Sequence, residues 1–209
     1  MSARDHIARR SSYDETKDFF PTPPYATRAL FKYVIPEQAK IAAHHTIWDP
    51  ACGGGHMSEV FKEHKFKDVV STDIQDWGYG GLNAVTSFQD AVKGGAKEDL
   101  IVTNPPYADM ADFVDLAFEA SRECVALLTR IQFLEGQKRY HGLFKKNPPS
   151  KIAIFSDRIP FKQNVVVRKA PKMFTHIWVV WEQGVDPRPP LWLHPHIQSE
   201  LEKSGDYEE

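Results

Sequence analysis

The chain predicts an α/β fold, doubly wound around a mostly parallel sheet. Three observations lead there: short apolar runs that each end in a polar turn, a strand, glycine turn and helix in succession near residue 50, and helical periodicity between the runs. The length of 209 residues, 42% of them hydrophobic and 26% charged, suits one globular domain with a sizeable core. No internal repeat is present, no apolar stretch is long enough to span a bilayer, and the N-terminal Arg4, Arg9 and Arg10 lead into no apolar segment of a signal peptide. A cytoplasmic protein is expected. Cys52 and Cys124 lie in separate apolar contexts without zinc-ligand spacing, so reduced thiols and no metal are expected.

Residues 1–14 are polar, basic and aperiodic, the pattern of a mobile N-terminal arm. Phe19-Phe20-Pro21-Thr22-Pro23-Pro24-Tyr25 then precedes a helical pattern carrying Ala26, Ala29, Leu30, Tyr33 and Val34 on one side. Thr22 is placed to cap that helix, with Pro23 at its first position. Phe19 and Phe20 form an aromatic pair fixed beside the helix start, and the same pair also fits a simple hydrophobic staple.

Thr46-Ile47-Trp48 reads as a buried strand running into Asp49-Pro50-Ala51-Cys52-Gly53-Gly54-Gly55-His56, followed by an amphipathic helix over 57–64. Consecutive glycines let the backbone take positive φ and approach a ligand closely. A P-loop is excluded because no Gly-Lys-Ser or Gly-Lys-Thr follows, and Ser58 stands where the third glycine of a dinucleotide fingerprint would be. Asp49 beside the turn suits a ligand with a positive amino group. A second strand over 68–73 ends in Asp73, about twenty residues past the glycines, where a carboxylate accepts ribose hydroxyls or else caps the next turn. Residues 75–82, with Trp77, form a loop placed to cover an adenine ring. Phe88 and Asp90 are candidates for ring contact and for an acceptor to an adenine amine, with Phe88 equally suited to the core.

Leu100-Ile101-Val102-Thr103 delivers the central motif, Asn104-Pro105-Pro106-Tyr107. The exocyclic amine of adenine or cytosine is a poor nucleophile because its lone pair is delocalised into the ring. The Asn104 side-chain carbonyl and the Pro105 backbone carbonyl can accept its two hydrogens, localising the lone pair by preorganised electrostatics. Prolines hold such carbonyls rigidly and add no competing N–H. Tyr107 offers a face for an extruded base, and stacking of this kind contributes about 1–3 kcal/mol. The same four residues also fit an ordinary strand-ending turn.

A helix over 108–122, a buried strand over 124–129, a basic helix over 136–146 stopped by Asn147-Pro148-Pro149, and a strand over 151–155 follow. Residues 160–172 read as a basic loop and 176–181 as an antiparallel edge strand. Beyond Gly184, the run 185–209 reads as a proline-rich extended tail, leaving 15–184 as the domain. The net charge of −2 is segregated: residues 130–172 hold eleven Lys or Arg against two acids, +9, leaving −11 elsewhere. Aromatic residues interleave with these cations, a pattern that favours a polyanion surface over a merely solvated face. Arg130, Lys138, Arg139, Lys162, Arg168 and Lys169 are the candidate nucleic-acid contacts.

Taken together, Phe-Phe-Pro-Thr-Pro-Pro, Asp-Pro-x-x-Gly-x-Gly, the acid after the second strand and Asn-Pro-Pro-Tyr resemble the class I S-adenosylmethionine-dependent amino-methyltransferases of DNA, adenine-specific type. Phe133-Leu134-Glu135-Gly136 before a basic helix is similar to small phage and prophage members. The resemblance spans about 19–184 and implies a seven-stranded, Rossmann-like sheet, S-adenosylmethionine as cofactor and DNA as partner. It implies that Asn104, Pro105, Pro106 and Tyr107 hold the target base. Phe20, Thr22, Pro23, Asp49, Pro50, Gly53 and Gly55 would shape the methionine side, Asp73 would bind ribose, and Phe88 and Asp90 would meet the adenine. Ser87 stands where the family carries an acid before the phenylalanine, so that contact falls to Asp90 or is absent. No sizeable target-recognition domain is present, which implies a separate specificity partner or a second copy of the chain. Asn-Pro-Pro-Tyr is shared with enzymes that methylate protein glutamine or RNA, and an inactive nucleic-acid-binding subunit is the remaining alternative.

Overall fold

The computed structural model describes residues 19–40, 42–106 and 110–207. The expected N-terminal arm and Tyr107 lie outside the described residues. The backbone forms helix α1 (Pro24–Ala29), which continues through one π-helical turn (Leu30–Val34), then α2 (Pro36–Lys40), β1 (Thr46–Asp49), α3 (His56–Glu63), β2 (Asp68–Asp73), β3 (Ala84–Val85) and α4 (Phe88–Lys93). Next come β4 (Glu98–Thr103), α5 (Met110–Ala120), β5 (Ser121–Arg130), a short helix α6 (Gln137–Arg139), β6 (Lys151–Phe155), β7 (Phe161–Lys162), β8 (Val165–Val166), β9 (His176–Glu182), β10 (Leu191–Leu193) and α7 (Ile197–Leu201).

Eight strands form the main sheet in the order β10-β6-β9-β5-β4-β1-β2-β3, and β7 and β8 form a separate hairpin. From β5 to β3 every pairing is parallel. The centres of β4 and β5, residues 100–102 and 124–128, are continuous apolar runs because both faces are covered. Along β4, Leu100 and Val102 enter the core with α1 and α3, while Ile101 enters the opposite core with α4 and α5. Alternation of side chains across the strand divides one run between two cores.

Three expectations are corrected. The sheet has eight strands rather than seven, and the antiparallel strand is not at an edge. β9 lies between β5 and β6 and pairs antiparallel with both. Its residues from His176 to Trp181 are all buried, which suits an internal position. The proline-rich run past Gly184 is not simply extended, since β10 pairs with β6 in parallel and α7 inserts Ile197 into the core. Arg28 of α1 fastens this segment: its guanidinium donates to Glu63 at 2.7 and 2.8 Å, to Asp206 at 2.6 and 2.8 Å, and to the Leu201 carbonyl at 2.9 Å. A proline-rich composition hides such a segment because it docks through contacts distant in sequence.

Smaller differences have local causes. The first helix starts one residue later than expected, with Pro23 at its cap position and Pro24 inside, which releases the Thr22 hydroxyl for another use. The helix expected to 122 ends at Ala120, and the expected basic loop contains the β7–β8 hairpin.

Candidate active site

Because β1, β2, β4 and β5 run parallel, their C-terminal ends share one edge of the sheet. Chain order reverses there, with β1 set between β4 and β2. Such a switch point leaves a crevice outside the carboxyl ends of the strands. A cavity of about 370 Å³ lies there, walled by residues 19–22, the turn after β1, the end of β2, the start of α4, the loop after β4, one side of α5 and Arg130. Its volume falls in the range of small-molecule sites.

The glycine turn is shaped for close approach. Gly53 has φ +51° and a Cβ there would lie 2.4 Å from the Phe19 ring. Gly55, at φ +79°, gives the same clearance to the Tyr79 ring at 2.3 Å, away from the cavity wall. The Gly53 N–H donates to one Asp73 carboxylate oxygen at 2.8 Å. The other oxygen accepts from Gln75 N–H at 3.0 Å and from the Trp77 indole at 3.2 Å. Trp77 stacks on Phe19 with ring centroids 4.6 Å apart, tying loop 75–82 to the segment before α1. Asp73 is thus held in place by three donors.

Asp49, at the end of β1, is 1% exposed. It accepts from the Thr103 hydroxyl at 2.7 Å and from Ala51 N–H at 3.3 Å. Burial pushes its carboxyl up to about 7; the two hydrogen bonds offset part of that rise and the neighbouring Asp73 adds to it. A cation placed on this wall would draw the proton off.

Asn104 is pinned at one end only. Its Nδ2 donates to the Thr22 hydroxyl at 3.0 Å, which orients the amide, while its buried Oδ1 has no hydrogen-bond partner among the described residues. Leaving a buried acceptor unsatisfied costs about 1–3 kcal/mol, so the arrangement suits a ligand that brings a donor. Pro105 is buried beside it and Pro106 exposed.

Seven of the ten expected cofactor residues line the cavity: Phe20, Thr22, Asp49, Pro50, Gly53, Asp73 and Phe88. Pro23, Gly55 and Asp90 do not. Asp90 turns back on Ser87, which donates to its carboxylate at 2.7 Å and accepts its N–H at 3.1 Å, a reciprocal cap of α4. Phe88 serves core and cavity together, packing against Trp48 and Phe113. Among the wall and support residues that sequence does not reveal are Ile74 and Thr103. Ile74 lines the cavity while 69% exposed, and its signal is an apolar residue directly after the strand-ending acid. Thr103 holds Asp49, a contact between strands that only pairing reveals.

The basic residues divide. Arg130 reaches the cavity wall with its guanidinium 3.9 Å from the Phe174 ring. Lys138, Lys162 and Lys169 are exposed. Arg139 donates to the Glu135 and Gln132 carbonyls, and Arg168 is held by Glu202 from the C-terminal segment, so these two cations are already engaged. Among the described residues no cluster of three potential metal ligands occurs and no helix is long and apolar enough to cross a membrane.

No protein family and no curated protein matches this sequence. Solved structures do match in shape. A candidate RNA methyltransferase from Pyrococcus horikoshii superposes with a TM-score of 0.58 at 14% identity, covering 82% of this chain and 90% of that one. The modification subunit of a candidate type I restriction enzyme from Vibrio vulnificus gives 0.58 at 13% identity, over 94% of this chain and 54% of that one. A candidate class I S-adenosylmethionine-dependent methyltransferase from Listeria monocytogenes gives 0.50 at 12% identity, over 87% and 69%. By its sheet order and these superpositions, the chain has the fold of the class I S-adenosylmethionine-dependent methyltransferases.

Proposed function

We propose that this chain transfers a methyl group from S-adenosylmethionine to the exocyclic amine of adenine in DNA. The observation that carries this reading is the unsatisfied Asn104 Oδ1, fixed by Thr22 on the wall of a cavity that also holds the glycine turn and Asp73. The donor set suits the cofactor. Asp73 would take the ribose hydroxyls, Asp49 and Gly53 the charged amino acid end, and Ile74 with Phe88 the apolar faces of the adenine. When bound, S-adenosylmethionine supplies an activated methyl group on a sulfonium.

The chain's own part is positioning and charge placement. Asn104 Oδ1 and the Pro105 carbonyl would accept the two amine hydrogens, leaving the nitrogen lone pair directed at the cofactor side. After transfer the surplus proton leaves to solvent, since charge relief at a protonated amine needs no strong base. Arg130, with exposed Lys138, Lys162 and Lys169, would hold phosphates, and Arg168 would join them only on releasing Glu202. Affinity for DNA should then fall steeply with salt. The superposed modification subunit supports DNA as acceptor, and the superposed candidate RNA methyltransferase supports RNA as the second reading.

Methyl transfer from labelled cofactor to mixed DNA, RNA and cell protein, with digestion and mass analysis, tests the reading. Methylated adenine from DNA, lost in Asn104→Ala, is the expected result. Label in RNA or in protein glutamine instead would move the chain to another acceptor.

A further inference from the structure

The form in which the acceptor strand arrives can be read at the mouth of the cavity, an inference that rests on the reaction proposed above. At the end of β5, Arg130 lines the cavity and lies over the Phe174 ring at 3.9 Å. Its partner in the β5–β9 ladder is His176, whose ring sits 4.6 Å from that of Phe161. Arg130 with Phe174 thus sits at the cavity, and its ladder partner, the buried His176, packs on Phe161 of the β7–β8 hairpin, which places the hairpin at the same end of the sheet. The hairpin is tied in turn to the segment before α1, because Asn164 N–H donates to the Phe19 carbonyl at 2.9 Å. On that segment Phe20 lines the cavity while 37% exposed, and Pro106 presents a further exposed apolar face on the wall. Lys162 is exposed on the hairpin itself.

We propose that this mouth holds an unpaired single strand, with bases next to the target resting on Phe20 and on the Arg130–Phe174 face. The phosphates of that strand lie against Arg130 and Lys162. Planar groups beside cations, here the exposed Phe20 ring and the half-buried Arg130–Phe174 pair, reward a strand whose bases are free to stack, by roughly tenfold in affinity per base. A duplex keeps its bases stacked on each other, so it meets such a mouth with phosphates alone. It must also unpair a base before Asn104 can reach the amine, a cost that a single strand does not carry.

The test compares a fluorescein-labelled mixed-sequence 15-mer DNA containing one adenine, single-stranded and as a duplex with its complement. Binding is measured by anisotropy at one salt concentration with saturating S-adenosylhomocysteine, and methyl transfer to each is followed in parallel. The single strand is expected to bind about tenfold or more tightly and to accept methyl faster. Phe174→Leu, which keeps apolar volume and removes the ring, should weaken single-strand binding about fivefold or more and leave the duplex unchanged. Cofactor calorimetry on the variant reports whether its fold survives, and the wild-type comparison decides the matter if it does not. Equal or tighter duplex binding, or methylation of the duplex in preference, overturns the inference and leaves the proposed reaction standing. Methylation of protein with none in either DNA form would sink the reaction and this inference together.

Discussion

The two halves of the cavity differ in how far the protein satisfies them by itself. On the glycine-turn side, Asp73 already accepts three donors and Asp49 two. On the Asn104 side, one amide end is fixed by Thr22 and the other has no partner among the described residues. The first half is braced by the protein's own hydrogen bonds. In the second half the fold supports an unmet acceptor, and groups held in this costly state concentrate at working sites. Binding and chemistry should therefore separate under mutation.

The largest expected effect breaks the second half alone. Asn104→Ala should lower kcat by about 10²–10³, the scale seen when one preorganised polar group is removed from a transition state, while cofactor affinity by calorimetry stays within twofold. Equal losses in both would mean that the halves are not separate. Gly53→Ala attacks the first half. A left-handed φ and a Cβ 2.4 Å from Phe19 should together weaken cofactor binding by about ten- to a hundredfold, from a strain of about 1–3 kcal/mol. Unchanged affinity would show that Phe19 moves aside freely.

The third prediction uses pH. With its carboxyl held up at about 7 against an ordinary 3.8, Asp49 keeps its proton in the fold where the unfolded chain has released it. Between those values the group lowers stability as pH rises. A cationic ligand beside it favours the ionised form, so cofactor affinity should climb with pH by at most about tenfold per unit below 7 and level off above. Asp49→Asn should flatten that slope. The smallest effect sharpens the comparison. Thr22→Val removes the hydroxyl that orients Asn104, and kcat should fall by about fivefold to tenfold, the worth of one neutral hydrogen bond, with affinity for cofactor nearly intact. A loss as large as that of Asn104→Ala would make Thr22 itself part of the reacting shell.

Much of this site is legible in order along the chain. β2 and β6 appear over the residues that their apolar runs and flanking turns mark. Local signals suffice where a function is carried by consecutive residues. They fail where neighbours in space are remote in sequence. Asp90 reads in sequence as an acceptor for a ligand, and in the structure it caps α4 with Ser87, since a carboxylate three residues past a serine fits either use. Thr22 reads in sequence as a helix cap, since a hydroxyl before prolines gives no hint of an amide 82 residues away.

Composition, periodicity and turn chemistry alone determined the doubly wound class and the places of its main strands, β1, β2, β4, β5, β6 and β9, along the chain. These follow from local rules: a strand buried on both faces is apolar throughout, and a turn of positive φ wants glycine. Tertiary structure alone decided that β9 lies inside the sheet, that the segment past Gly184 adds a strand and a helix, and that the Asn104 side-chain oxygen has no partner among the described residues. Each of those depends on which distant groups meet. Pairing energies in a sheet and hydrogen bonds across 50 to 170 residues leave little trace in any short window of sequence.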